Sequence, residues 1–147
     1  VACNRLDIVA TDHAPHLLSE KEGSCLKAAS GGPLVQFSLQ TMLELAEKGH
    51  FTRTQVVEKM CHAPAALFGV ARRGYIREGY YADIAIIDPC QPYTVTTDKI
   101  QSRCGWSPFE GHTYPHSITH TLVNGVVAYE NGTINDNCRG QLLLFER

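Results

Sequence analysis

The chain has no apolar run approaching the roughly 18 residues that a membrane-spanning helix needs. It has little surplus charge. A net charge of −2 and a pI near 6.4 give no basic field, so neither nucleic acid nor an anionic membrane is expected as a partner. The first residues, Val1-Ala2-Cys3-Asn4-Arg5, lack the charged-then-apolar plan of a secretory signal. There is no internal repeat and no low-complexity segment. Six cysteines are present, but Cys3, Cys25, Cys61, Cys90, Cys104 and Cys138 form no Cys-x-x-Cys pair and their gaps are irregular. Reduced, mostly buried thiols in a cytoplasmic protein are the expectation. Cys25 and Cys104 have no paired histidine that would lower a thiol pKa, which argues against a cysteine nucleophile.

What is present is an ordinary globular composition, 44% hydrophobic and 19% charged. A chain of 147 residues buries roughly two thirds of its unfolded surface. The opening residues read as a helix tail with Asn4 as a left-handed stop. That start resembles a carboxyl-terminal piece of a longer protein.

Leu6-Asp7-Ile8-Val9-Ala10 reads as a buried strand that runs out near Thr11, followed by a long polar loop over residues 12–33 that closes with Gly31-Gly32-Pro33. Leu34, Val35, Leu39, Met42, Leu43 and Ala46 then recur at helical spacing, and Gly49 supplies the stop. Thr52-Arg53-Thr54-Gln55 fits a capping box before a helix with Val56, Val57 and Met60 on one face. Pro64 opens a helical turn that Gly69 ends. Beyond a turn-rich stretch over 74–79 the pattern becomes β: a strand over 82–88 bounded by Pro89, then strands over 118–123 and 126–129 flanking Asn124-Gly125. Asn131-Gly132 marks a second tight turn, and Gly140 precedes a last apolar run, 142–145.

Asp12 sits where the first strand ends, which is where barrel enzymes keep their chemistry. His16 follows four residues on, past the rigid Pro15. Two readings stand at this level. Asp12 caps a turn and both histidines are loop residues, or Asp12 serves as base or metal ligand and His16 contacts a substrate anion or metal. His13-x-x-His16 alone is short of the three or four ligands that zinc needs. His112, His116 and His120 are expected to be surface or turn histidines. Glu110, in Ser107-Pro108-Phe109-Glu110-Gly111, reads as a turn cap, with acid/base work as the alternative. Glu20, Lys21 and Glu22 read as a solvated face of the loop.

In their order these features resemble the carboxyl-terminal third of the dihydroorotases, in the cyclic amidohydrolase family. Residues 7–16, Asp-Ile-Val-Ala-Thr-Asp-His-Ala-Pro-His, resemble the family's eighth barrel strand and its loop. Cys61-His62-Ala63-Pro64-Ala65-Ala66-Leu67-Phe68-Gly69 resembles its Asn-Pro-Ala helix, with His62 where Asn is more usual. Gly74-x-Ile76-x-x-Gly79-x-x-Ala82-Asp83 resembles the return into a small β-domain, and Ser107 to Gly111 with Asn124-Gly125 complete the order.

The resemblance implies an α/β plus β fold. Residues 1–73 would be the last βα part of a metal-dependent-hydrolase TIM barrel, and 74–147 much of a small β-rich sandwich domain. It implies a zinc-dependent enzyme interconverting N-carbamoyl-L-aspartate and L-dihydroorotate in pyrimidine biosynthesis, with two zinc ions at the barrel mouth. Asp12 would touch the metal and shuttle a proton. His16 would hold the substrate carboxylate, with Gly32 and Pro33 assisting, and His13 receives no catalytic role. A homodimer or an assembly with aspartate transcarbamoylase would be the partner. The family's other metal ligands precede this segment, so the chain alone is expected to be inactive and to bind zinc weakly. The alternatives are an allantoinase or hydantoinase, a non-catalytic homologue that supports aspartate transcarbamoylase, and a stable fragment without activity of its own.

Overall fold

The computed structural model describes residues 1–146. In chain order the regular elements are helices α1 (Ser38–Glu47), α2 (Arg53–Val57) and α3 (Ala63–Phe68), then strands β1 (Ile84–Asp88), β2 (Tyr93–Thr94), β3 (Thr113–Tyr114), β4 (Ser117–Val123), β5 (Val126–Glu130) and β6 (Thr133–Ile134). A π-helical turn, Glu58–His62, joins α2 to α3 without a break. The strands form a four-stranded antiparallel sheet in the order β1-β4-β5-β6 and a β2-β3 ribbon. The helices fall in the first half and the strands in the second, as expected, but the strand expected ahead of the helices is absent among the described residues.

Local chemistry accounts for most boundaries. The Thr52 hydroxyl accepts the Gln55 N–H at 3.2 Å, and the Gln55 side chain accepts the Thr52 N–H at 2.9 Å, closing the capping box. Pro64 cannot donate to a carbonyl one turn back, and the wider turn just ahead of it lets the Ala63 N–H reach the Glu58 carbonyl instead. Gly69 ends α3 in the left-handed conformation. Asn124-Gly125 and Asn131-Gly132 both hold two consecutive positive φ angles, the geometry that matches the twist of the strands they join.

The core is built from Phe37, Val95 and Tyr114, with Tyr93, Ile100 and Phe109 packed around it. It therefore joins the segment ahead of α1 to the β2-β3 region. The Tyr114 hydroxyl meets Thr41 Oγ1 of α1 at 2.8 Å, which satisfies a phenol that would otherwise be buried without a partner. Desolvation raises the Tyr114 pKa, partly offset by that bond.

Several sequence expectations need correction. Residues 6–11 join no ladder among the described residues, and Leu6 is 57% exposed. Their one tether there is the Val9 N–H donating to the Lys59 carbonyl at 3.0 Å. A continuous apolar strand needs neighbours on both sides, and no described strand flanks this one. Val35 and Val57, assigned to apolar helix faces, are 54% and 45% exposed. A 3₁₀ turn over Val35–Phe37 rotates the chain so that Phe37 faces inward. None of the described cysteines is buried; Cys104 and Cys138 are half-buried and the other four exposed. His116 is not a surface histidine but 1% exposed, its Nε2 3.2 Å from the Gln40 carbonyl and its Nδ1 3.6 Å from Glu47.

Candidate functional site

The 12–33 loop begins and ends at one place. His13 and Gly32 form an isolated parallel bridge, and the Gly32 carbonyl accepts the N–H groups of Ala14 and Leu34, each at 3.0 Å. Gly31 makes the closure possible. Its φ is +89°, and a Cβ there would stand 2.5 Å from the Ala14 Cβ, so a side chain fails on both conformation and space. Gly32 and Pro33 are buried beside the motif.

Asp12 lies at the mouth of this closed loop. Its backbone is left-handed, with φ 46°, a conformation that Asp tolerates better than most residues. Its side chain is exposed. His16 is turned by the Pro15 bend: its N–H donates to the Ala14 carbonyl at 2.9 Å. Its Nδ1 lies 3.7 Å from Glu20 Oε2, and that carboxylate also accepts the Leu17 N–H at 2.7 Å. The structure thus brings Asp12, His13, His16, Gly32 and Pro33 into one loop closure.

Three residues of this closure had no assigned role. His13 Nδ1 accepts the Val35 N–H at 3.2 Å and so ties the motif to the start of the α1 segment. Lys21 is not a solvated residue but donates to the carbonyls of Ala29 and Gly31, while Glu20 faces His16. Trp106 Nε1 donates to the His16 carbonyl at 2.8 Å across 90 residues of sequence. The available signal was weak: Trp106 is the single tryptophan, placed one residue before the Ser107 motif.

The other candidates lie apart. Glu110 sits in the Ser107 turn, its N–H donating to the Ser107 carbonyl, and its carboxylate accepts the Thr97 hydroxyl. His112 pairs with Glu44 at 3.1 Å and His120 with Glu130 at 3.2 Å. His62 stacks on Tyr75 with centroids 4.2 Å apart. Among the described residues no three His, Cys, Asp or Glu side chains converge as a metal site. Asp12 offers one carboxylate, so these residues by themselves do not fit a two-zinc centre.

Known proteins are similar to this chain in sequence and in fold. The chain is 36% identical to a dihydroorotase of Halobacterium salinarum over 92% of its own length and 32% of that protein's. It is 42% identical to a dihydroorotase of Acetivibrio thermocellus, covering 83% of the chain and 29% of the relative. An L-hydantoinase (dihydropyrimidinase) from Arthrobacter aurescens superposes with a TM-score of 0.84 at 30% identity, over 90% of this chain and 31% of that one. The chain thus spans about a third of the length of the curated relatives it matches. A family model described as the amidohydrolase family matches residues 4–128, and the chain belongs to that family.

Proposed function

We propose that these residues form the carboxyl-terminal part of a dihydroorotase, a cytoplasmic, zinc-dependent hydrolase of cyclic amides that interconverts N-carbamoyl-L-aspartate and L-dihydroorotate in pyrimidine biosynthesis. The observation that carries the reading is the closed loop: it holds an exposed carboxylate at Asp12 and an imidazole at His16 on one backbone fixed at both ends. The likeness to dihydroorotases along most of the chain supports it. In this reading residues 1–73 complete a TIM barrel and 74–147 contribute to a small β-rich domain. The exposed apolar side chains Leu6, Leu67 and Phe68 would then be covered by the rest of the barrel.

Within that enzyme, Asp12 takes the proton of the attacking water and returns it to the ring nitrogen. His16 binds the substrate carboxylate through the ring nitrogen turned away from Glu20, and Gly32 with Pro33 keeps that side of the pocket closed. Zinc would polarise the amide and lower the pKa of water; its ligands other than Asp12 would come from outside these residues. A homodimer or an aspartate transcarbamoylase complex is the assembly to examine. The test is turnover by the complete enzyme, wild type and His16→Ala, with dihydroorotate, allantoin and hydantoins. Loss of dihydroorotate turnover in His16→Ala is the expected result. Activity on hydantoins alone would favour the hydantoinase reading that the Arthrobacter likeness suggests. Stoichiometric zinc or dihydroorotate turnover in the 147-residue chain would overturn the view that this piece is inactive alone.

A further inference from the structure

The geometry points to Trp106 as a positioning residue for the substrate-carboxylate clamp, carried by the β-rich half of the chain; this rests on the assignment of His16 as that clamp. The His16 peptide is fixed on every side. Its N–H donates to Ala14 at 2.9 Å, its carbonyl accepts the Trp106 indole N–H at 2.8 Å, and the following N–H donates to Glu20 at 2.7 Å. The Trp106 bond is the one of these three that comes from outside the loop.

Trp106 is itself held in place. The Gly105 N–H donates to the Ser102 carbonyl at 3.0 Å, and Cys104 Sγ donates to the Trp106 carbonyl at 3.5 Å. The indole edge lies 3.9 Å from where a Cβ on Gly32 would stand. The Lys21 ammonium lies 6.0 Å from the ring centroid while it donates to Ala29 and Gly31. One aromatic side chain therefore bonds the start of the 12–33 loop and lies beside its end. Without its N–H, the turn after Pro15 keeps only contacts internal to the loop, and the His16 ring loses its fixed place. Substrate affinity should then fall while the proton chemistry at Asp12 continues.

Trp106→Phe keeps a ring and removes the N–H. Loss of one neutral hydrogen bond corresponds to roughly a tenfold effect. In the complete enzyme KM for dihydroorotate should rise about tenfold with kcat within about twofold, the signature of lost binding rather than lost chemistry. Trp106→His, whose Nε2 stands where the indole N–H stood, should restore most of the affinity, which a purely structural role would not produce. In the complete enzyme, amide hydrogen exchange over 13–21 should speed up in Trp106→Phe while the β4-β5 hairpin stays unchanged. An unchanged KM in Trp106→Phe, or a fall confined to kcat, overturns the proposal. His16→Ala separates the two ideas. If His16→Ala keeps wild-type turnover of dihydroorotate, the clamp assignment fails, whereas lost turnover there with an unaltered KM in Trp106→Phe sinks the positioning role alone.

Discussion

His13 accepts the backbone N–H of Val35 through Nδ1 at 3.2 Å, so the residue between Asp12 and the Pro15 bend is tied to the segment that leads into α1. The ring acts as a cap for the 3₁₀ turn over Val35–Phe37, whose buried member Phe37 opens the core. The bond adds a side-chain tie between motif and core to the backbone closure at Gly32.

Replacing His13 by Ala should therefore cost about 1 kcal/mol, the ordinary value of such a hydrogen bond. His13→Asn, which keeps a short acceptor, should lose less. Urea midpoints of the two variants at fixed pH decide it; equal midpoints for wild type and His13→Ala would show that the bond contributes nothing.

Gly31→Ala should destabilise the chain by about 1–3 kcal/mol, because the new Cβ meets Ala14 in a backbone conformation hostile to side chains. Gly132→Ala is the control: its φ is also positive, at +95°, but nothing lies within 4 Å of the added carbon. Thermal melting of both variants should show the larger drop for Gly31→Ala.

Asp83 forms an ion pair with Arg73 and accepts the Asn124 N–H at 2.7 Å, while Arg73 donates to the Asn124 side chain at 2.8 Å. One carboxylate thus joins the chain after α3 to the β4-β5 turn. Asp83→Ala should cost about 2 kcal/mol, since it leaves a charged donor and a turn N–H without their acceptor. Double-mutant cycles with Asn124→Ala should show coupling between the two positions.

Glu44 makes the acid limb of stability predictable. Burial raises its pKa, but hydrogen bonds from Lys48 and His112 and their charges outweigh that, leaving the group below its ordinary 4.5. A carboxyl with a lowered native pKa binds fewer protons folded than unfolded. Its contribution is complete above 4.5 and disappears as pH falls through the lower native value. Unfolding free energy measured from about pH 7 down to about pH 3 should fall less steeply in Glu44→Gln. An identical slope in both proteins would refute the assignment.

The local signals were enough for whatever a few neighbouring residues decide. Thr52 and Gln55 cap their helix, and Asn124-Gly125 turns its hairpin, because both depend on hydrogen bonds and φ angles within four residues. The Asp12–His16 motif was visible for the same reason: its residue types and proline are contiguous. The burial of His116 was not, since it depends on Gln40 and Glu47 of a helix some 70 residues earlier.

The sequence alone determined the turns, the caps, the helical first half and the β-rich second half, all products of short-range sterics and hydrogen bonding. Only tertiary structure decided that Phe37, not Val35, enters the core, and that Lys21, apparently a solvated residue, braces Gly31. It also decided that Trp106 holds the His16 carbonyl. Those outcomes depend on which distant segments come together, and no local periodicity encodes the partner of a single donor 90 residues away.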